Sequence, residues 1–230
     1  MDMQGYKEKT ALCCRLLQME SLIEASGHIS ARVPGTDKVL IHPMQASRAT
    51  IGPKDMLVVD LEGKLLEGEV APPSETHIHV SIYRHRPDVL SVCHAHSHYA
   101  TVFSMVQRPL IPACNSSAPF YEGVSVFPLS GHIDDREKGE GVATLLGKKR
   151  ALLLRGHGAV IAGTCLEEVF RATLWLEKGA QMQYEASVLG PIAPLPKEEI
   201  DAFMARTWNP RGWRKEWDYY VSLAKQRGIA

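Results

Sequence analysis

Residues 87–96 read Pro87-Asp88-Val89-Leu90-Ser91-Val92-Cys93-His94-Ala95-His96. Pro87-Asp88 marks a turn, and the apolar, alternating residues after it form a strand over 89–96. Side chains on a strand alternate between its faces, so His94 and His96 point one way and Cys93 and Ala95 the other. Helical and strand patterns alternate outward from this segment. Upstream, Pro72-Pro73-Ser74 introduces a helix over 75–85 with Ser74 as its N-cap. Downstream come a helix over 97–106, a strand over 124–128 and a helix over 136–146. Strands over 151–155 and 159–162 are then broken by Gly156-His157-Gly158, and 166–188 is the longest helical pattern. Ala11, Leu12, Leu16, Met19 and Ile23 predict an N-terminal helix over 6–25, ended by Gly27. Short apolar runs follow at 28–33, 39–41 and 56–61, the last leading into a hairpin turn at Leu61-Glu62-Gly63-Lys64. Interleaved helices and strands predict one α/β domain of three layers over residues 1–190. Pro191, Pro194 and Pro196 mark a linker to a tail over 191–230. Its aromatics, from Trp208 to Tyr220, suit packing at a subunit interface.

The chain has 230 residues, enough for a self-sufficient core, and a formal net charge of zero. Lys and Arg are scattered, which argues against nucleic acid and against an electrostatic membrane anchor. No window approaches the roughly 20 apolar residues of a membrane helix, and the polar N-terminus lacks a secretory signal. Five cysteines without CxxC spacing read as reduced thiols, so a cytoplasmic location is expected.

Two imidazoles on one strand face can share an ion, but an HxH pair also arises structurally or by chance, and both readings stand. His157, between two glycines on a turn, is the best third ligand. Three histidines would leave a coordination position open, as catalytic metal sites do. Glu75, in the first turn of its helix, is either an acid/base or simply a carboxylate favoured by the helix dipole. His79 lies one turn after it and suits packing against or orienting it. His77, His98 and His85 face elsewhere, and His132, in the loop Ser130-Gly131-His132, has no assignment.

Four pieces carry a family resemblance: Ser26-Gly27-His28-Ile29-Ser30-Ala31-Arg32, Pro73-Ser74-Glu75-Thr76-His77-Ile78-His79, His94-Ala95-His96-Ser97-His98-Tyr99-Ala100 and Gly156-His157-Gly158-Ala159-Val160. In order and spacing, over about residues 8–190, the chain resembles the class II aldolase/adducin family. The resemblance implies an α/β/α sandwich around a central, largely antiparallel sheet. It implies one divalent metal per chain on His94, His96 and His157, Glu75 as the catalytic carboxylate, and a homotetramer with sites between subunits. In the family a C-terminal tyrosine completes the neighbour's site, a role open to Tyr219 or Tyr220. Three imidazoles favour zinc, with manganese, cobalt or magnesium as alternatives.

The chain departs from the sugar-phosphate aldolases of that family where they cradle phosphate. His28 replaces an asparagine, the second loop reads Ile41-His42-Pro43-Met44-Gln45-Ala46-Ser47-Arg48, and a serine pair has become Pro73-Ser74. Phosphate cradles rely on small residues that expose backbone N–H groups. The altered pocket points instead to a small carboxylate substrate bound by Arg48, whose planar fork suits a carboxylate, with His28, Ser47 and Ser74. The expected activity is metal-dependent carbon–carbon cleavage, specifically decarboxylation of a hydroxy-aromatic or oxo acid, as in the family's decarboxylase branch. The alternatives are a retro-aldol reaction on a hydroxy-oxo acid or sugar phosphate, and a non-catalytic adducin-like binding module. The intact histidines and Glu75 speak against the last.

Overall fold

The computed structural model describes residues 2–229. Helix α1 (Met3–Met19) starts at Asp2, whose side chain accepts the Gly5 N–H at 2.9 Å. It ends well before the expected stop at Gly27. After Glu20 the chain turns through Ser21, at φ +55°, and leaves the helical path. Gly27 has a different task. At φ +86° it turns the chain into β1 (His28–Arg32), and a Cβ there would sit 2.7 Å from Ile23 Cγ2 and 3.1 Å from the His94 carbonyl.

Strands β2 (Val39–Ile41), β3 (Leu57–Val59) and β4 (Leu65–Glu67) follow, then α2 (Thr76–His85), β5 (Ser91–Ala95) and α3 (His98–Ser104). Next come β6 (Ser125–Phe127), α4 (Arg136–Leu146), β7 (Ala151–Leu154), β8 (Gly158–Gly163) and α5 (Leu166–Leu189). Helices α6 (Lys197–Thr207) and α7 (Pro210–Gln226) form the tail. The eight strands make one sheet in the order β4-β3-β2-β1-β5-β8-β7-β6, antiparallel at every pairing except β6 with β7.

Strand alternation sorts the core into two layers. Ile29, Leu40, Val58, Cys93, Leu153 and Ile161 face α1, α3 and α5, whereas Val39, Ile41, Val92, Leu152, Leu154 and Val160 face α2 and α4. Each fully buried aliphatic side chain contributes roughly 1.5–3 kcal/mol. The expected three-layer α/β/α sandwich is the observed one. His28 and Ser30 on β1 and His94 on β5 lie on the α2 face, and the register pairs His28 with His94.

Helix α2 begins one residue later than expected. Ser74 is exposed and caps nothing; Glu75 holds the cap position without using its side chain for it. Thr76 Oγ1 donates to the Pro73 carbonyl at 2.6 Å, closing the first turn instead. In the tail, Trp217 and Tyr220 pack edge-on against Phe170 of α5, with ring centroids 5.8 and 5.1 Å away, and Trp208 meets Trp175. Tyr219 stays exposed.

Candidate metal centre

Strand β5 brings His94 to the sheet's end, and His96 follows one residue beyond it. His157 sits in the turn between β7 and β8, flanked by a glycine in the left-handed region and one pressed against β5. Gly156 adopts φ +63°, and a Cβ on Gly158 would lie 2.3 Å from the Ala95 carbonyl and 3.1 Å from His96 Cδ2. Only glycine lets the two strands come this close. Glu75 enters from the start of α2. Ligand atoms of Glu75, His94, His96 and His157 all lie within 4.8 Å of one another.

The polar atoms are arranged to receive a cation. His94 Nδ1 lies 3.1 Å from the Ala159 carbonyl, so it carries the proton and donates there, which turns the Nε2 lone pair inward. His96 Nε2 is 2.9 Å from it. Burial, with His94 and His157 alongside, pushes His96 down to about 3. His157 is lowered for the same reasons, burial first. Neutral imidazoles are the ligating form. Glu75 Oε2 stands 3.5 Å from His94 Nε2 and 3.7 Å from His157 Nε2, while Oε1 accepts the Ile133 N–H at 2.9 Å. Burial opposes ionisation of Glu75, but the neighbouring His28 and His94 rings and the Ile133 N–H outweigh it and hold the carboxyl well below the usual range. The donor set, three imidazoles and one carboxylate around a common point, fits a divalent ion with an open position. The carboxylate therefore faces the histidines across the site and does not serve its own helix.

Several other residues come to the site. His28 is buried, with Nε2 3.8 Å from Glu75 Oε2. His79, expected to pack against or orient Glu75, reaches it only through His28: its Nε2 is 2.6 Å from His28 Nδ1. His132 is 73% exposed at the mouth, with Nδ1 3.8 Å from Glu75 Oε1 and its ring 5.9 Å from that of His157. Neither the place of His132 nor the anchoring role of Ile133 is legible in the sequence. Both lie on a loop without periodicity, so no local signal marks them. His85 pairs with Glu140 away from the site.

The 42–48 loop differs from expectation. Arg48 is buried and does not present a free fork. Its Nε donates to the Gly27 carbonyl at 3.2 Å, and its Nη1 donates to the Met44 and Ala46 carbonyls at 3.0 and 2.6 Å. Three backbone oxygens that would otherwise be desolvated claim the guanidinium, so Arg48 ties the loop to Gly27. Ser47 and Ser74 are exposed, and His42 is buried with Nδ1 2.9 Å from the Pro43 carbonyl. Pro43, Met44, Gln45 and Ala46 line a cavity of about 410 Å³ whose one charged wall residue is Asp55.

This sheet, its two helical layers and the histidine–carboxylate cluster define a class of α/β domains built around a metal-type centre at a strand end. The chain belongs to the class II aldolase and adducin N-terminal domain family, whose model matches residues 8–184. It is 28% identical over 211 residues to 3,4-dihydroxyphthalate decarboxylase of Arthrobacter keyseri, covering 85% of each chain. It is also 28% identical over 183 residues to an L-fuculose phosphate aldolase of Methanococcus vannielii, covering 77% of this chain and 94% of that one. Some relatives are longer: the chain spans 63% of the meiotically up-regulated gene 14 protein of Schizosaccharomyces pombe, at 27% identity over 162 residues, 69% of this chain. The L-fuculose 1-phosphate aldolase of Glaciozyma antarctica superposes with a TM-score of 0.84 over 98% of this chain and 90% of that one, at 23% identity, and so shares the fold. The family thus contains both decarboxylases and aldolases, and its lyase chemistry is common to the two.

Proposed function

We propose that this protein is a metal-dependent carbon–carbon lyase that decarboxylates a small hydroxy-aromatic or oxo acid. The observation that carries the reading is the convergence of His94, His96, His157 and Glu75 within 4.8 Å. In this reading the three histidines hold one divalent ion, zinc by ligand type, with manganese, cobalt or magnesium as alternatives. A bound ion supplies Lewis acidity to a substrate oxygen. Glu75 Oε2 takes the proton of a substrate hydroxyl as the substrate binds. When the bond to the carboxyl carbon breaks, its electron pair stays on the substrate carbon, carbon dioxide leaves, and Glu75 returns the proton to that carbon. The Ile133 N–H holds the other carboxylate oxygen, so Oε2 stays aimed at the substrate.

Two features favour a carboxylate over a phosphate. The positions where a phosphate cradle needs small residues hold His28, Met44, Gln45 and Pro73. The likeness to the Arthrobacter keyseri decarboxylase runs through 85% of both chains. Arg48 holds its own loop rather than the substrate carboxylate in this reading, because its Nε and Nη1 are committed to backbone carbonyls. His28 and His132 are the donors nearest Glu75, with Ser47 and Ser74 available on the exposed rim.

The second reading is a retro-aldol reaction, favoured by the likeness to L-fuculose phosphate aldolase. A panel of hydroxylated aromatic acids, oxo acids and sugar phosphates, followed for carbon dioxide and for aldehyde, separates the two. Aldehyde from a sugar phosphate, with no carbon dioxide from any acid, sinks the decarboxylase. A binding module of the adducin kind would bring no stoichiometric metal through purification. The reading includes a homotetramer in the cytoplasm. The exposed apolar residues Met105, Val188 and Leu189 support association, and the five free cysteines support the compartment. Among the described residues no helix is long and apolar enough to cross a membrane. Light scattering that returns the 25.5 kDa monomer at micromolar concentration refutes the tetramer.

A further inference from the structure

Behind Glu75 runs a chain of buried polar side chains of which the reaction above uses only the His28 end. Tyr83 and His79 project from α2 toward the sheet, and Ser30 and His28 project from β1 toward α2. His79, Ser30 and Tyr83 are fully buried, and His28 nearly so. Tyr83 Oη lies 2.7 Å from Ser30 Oγ, Ser30 Oγ lies 2.7 Å from His79 Nδ1, and His79 Nε2 lies 2.6 Å from His28 Nδ1. The remaining ring nitrogen, His28 Nε2, faces Glu75 Oε2 at 3.8 Å.

A neutral imidazole carries one N–H and one lone pair, so the two rings, joined through His79 Nε2 and His28 Nδ1, have only two arrangements. In the first, Tyr83 donates to Ser30, Ser30 donates to His79 Nδ1, His79 Nε2–H donates to His28 Nδ1, and His28 points an N–H at the carboxylate. In the second the imidazole protons are reversed: His28 Nδ1–H donates to His79 Nε2 and His79 Nδ1–H donates to Ser30, while Tyr83 still donates to Ser30. Ser30 then accepts from His79 and has its own proton left for the Val92 carbonyl, at a poor 3.5 Å. His28 would also turn a lone pair toward a carboxylate oxygen. Both ends therefore select the first polarity. At the Ser30 end the hydroxyl proton has His79 Nδ1 at 2.7 Å in the first arrangement and only the Val92 carbonyl at 3.5 Å in the second, and at the Glu75 end a carboxylate attracts an N–H and repels a lone pair.

We propose that Tyr83, Ser30 and His79 are positioning residues that fix the tautomer of His28, so that its Nε2–H faces Glu75 and orients the carboxylate for proton transfer at the substrate carbon. The assignment of Glu75 as acid/base comes from the function proposed above, whereas the polarity of the chain follows from the hydrogen-bond geometry alone. A 3.8 Å separation closes to hydrogen-bonding distance with a small rotation of the carboxylate, a tightening that substrate binding commonly brings.

The test reads proton positions directly, by 15N NMR of protein labelled at histidine. His28 and His79 are both expected to be protonated at Nε2 and bare at Nδ1. A proton on Nδ1 of either ring reverses the chain and overturns the proposal. This readout needs no turnover, so Nε2 protonation in a protein inactive on every acid and sugar would fail the lyase reading and leave the relay standing. A second arm uses Ser30→Ala, which removes the central link with little loss of volume. Its kcat is expected to fall about tenfold to a hundredfold, with KM and bound metal unchanged. Ser30→Thr, which keeps the hydroxyl, should recover much of the rate. Wild-type kcat in Ser30→Ala, or no better rate in Ser30→Thr, argues that the chain is only packing and refutes the proposal.

Discussion

Gly158→Ala is the sharpest probe of how this centre is built. The added Cβ would sit 2.3 Å from the Ala95 carbonyl oxygen and 3.1 Å from His96 Cδ2. An ordinary carbon–oxygen contact is about 3.4 Å, so the backbone must give by about 1 Å, and a carbonyl in a sheet ladder cannot rotate aside as a flexible side chain would. The clash falls between β5 and β8, on the strands that set His96 and His157. Overpacking of this kind costs about 1–3 kcal/mol. Each kcal/mol moves Tm by about 2–4 °C in a domain of this size. Thermal unfolding is therefore expected to drop by about 2–12 °C, together with a clear loss of bound metal in elemental analysis. Gly156→Asn is the matched control. That position has φ +63° and open space around its missing Cβ, and asparagine tolerates the left-handed region. It should stay near wild type in both assays. If Gly158→Ala kept wild-type Tm and metal, the argument that strand proximity sets the cluster would fail.

His96→Ala should lose most of its metal while keeping its fold, as judged by elemental analysis and circular dichroism; full metal retention in all three single histidine variants defeats the ligand assignment. Glu75→Gln should keep fold and metal, since its amide oxygen can still accept the Ile133 N–H, and should lose turnover by about 100- to 10,000-fold; wild-type rates would reduce Glu75 to a structural residue. Arg48→Ala should lower stability by roughly 1.5–3 kcal/mol by stranding the Gly27, Met44 and Ala46 carbonyls, read by urea unfolding. A rise in KM with stability intact would instead return Arg48 to the substrate.

The strand with His94 and His96, the glycine-flanked His157 and the helix led by Glu75 are all legible in the chain, because each rests on a local rule. A period of two puts the histidine pair on one face, a turn between apolar runs isolates His157, and a proline pair starts a helix. The three-layer architecture follows from the same alternation. Where local rules compete the reading is weaker. Ser74 has the sequence surroundings of a cap, yet Thr76 and the Pro73 carbonyl close that turn. Gly27 has the position of a helix stop, whereas its positive φ and its approach to Ile23 and the His94 carbonyl serve the entry to β1.

The fold class, the family and the members of the candidate metal set are therefore readable from the chain, since these depend on spacing along one or two neighbouring elements. Tertiary structure alone decided what surrounds them. The β1–β5 register sets His28 opposite His94, and the packing of α2 on that face joins His79, Ser30 and Tyr83 into one hydrogen-bonded chain. Burial turned Arg48 from a free cation into the clamp of its own loop, and a loop without periodicity delivered His132 and Ile133 to Glu75. The physical reason is the same in each case. A buried polar group takes whichever partner lies within about 3 Å in space, and distance in space between residues far apart in the chain is set by sheet register and layer packing, which no local pattern encodes.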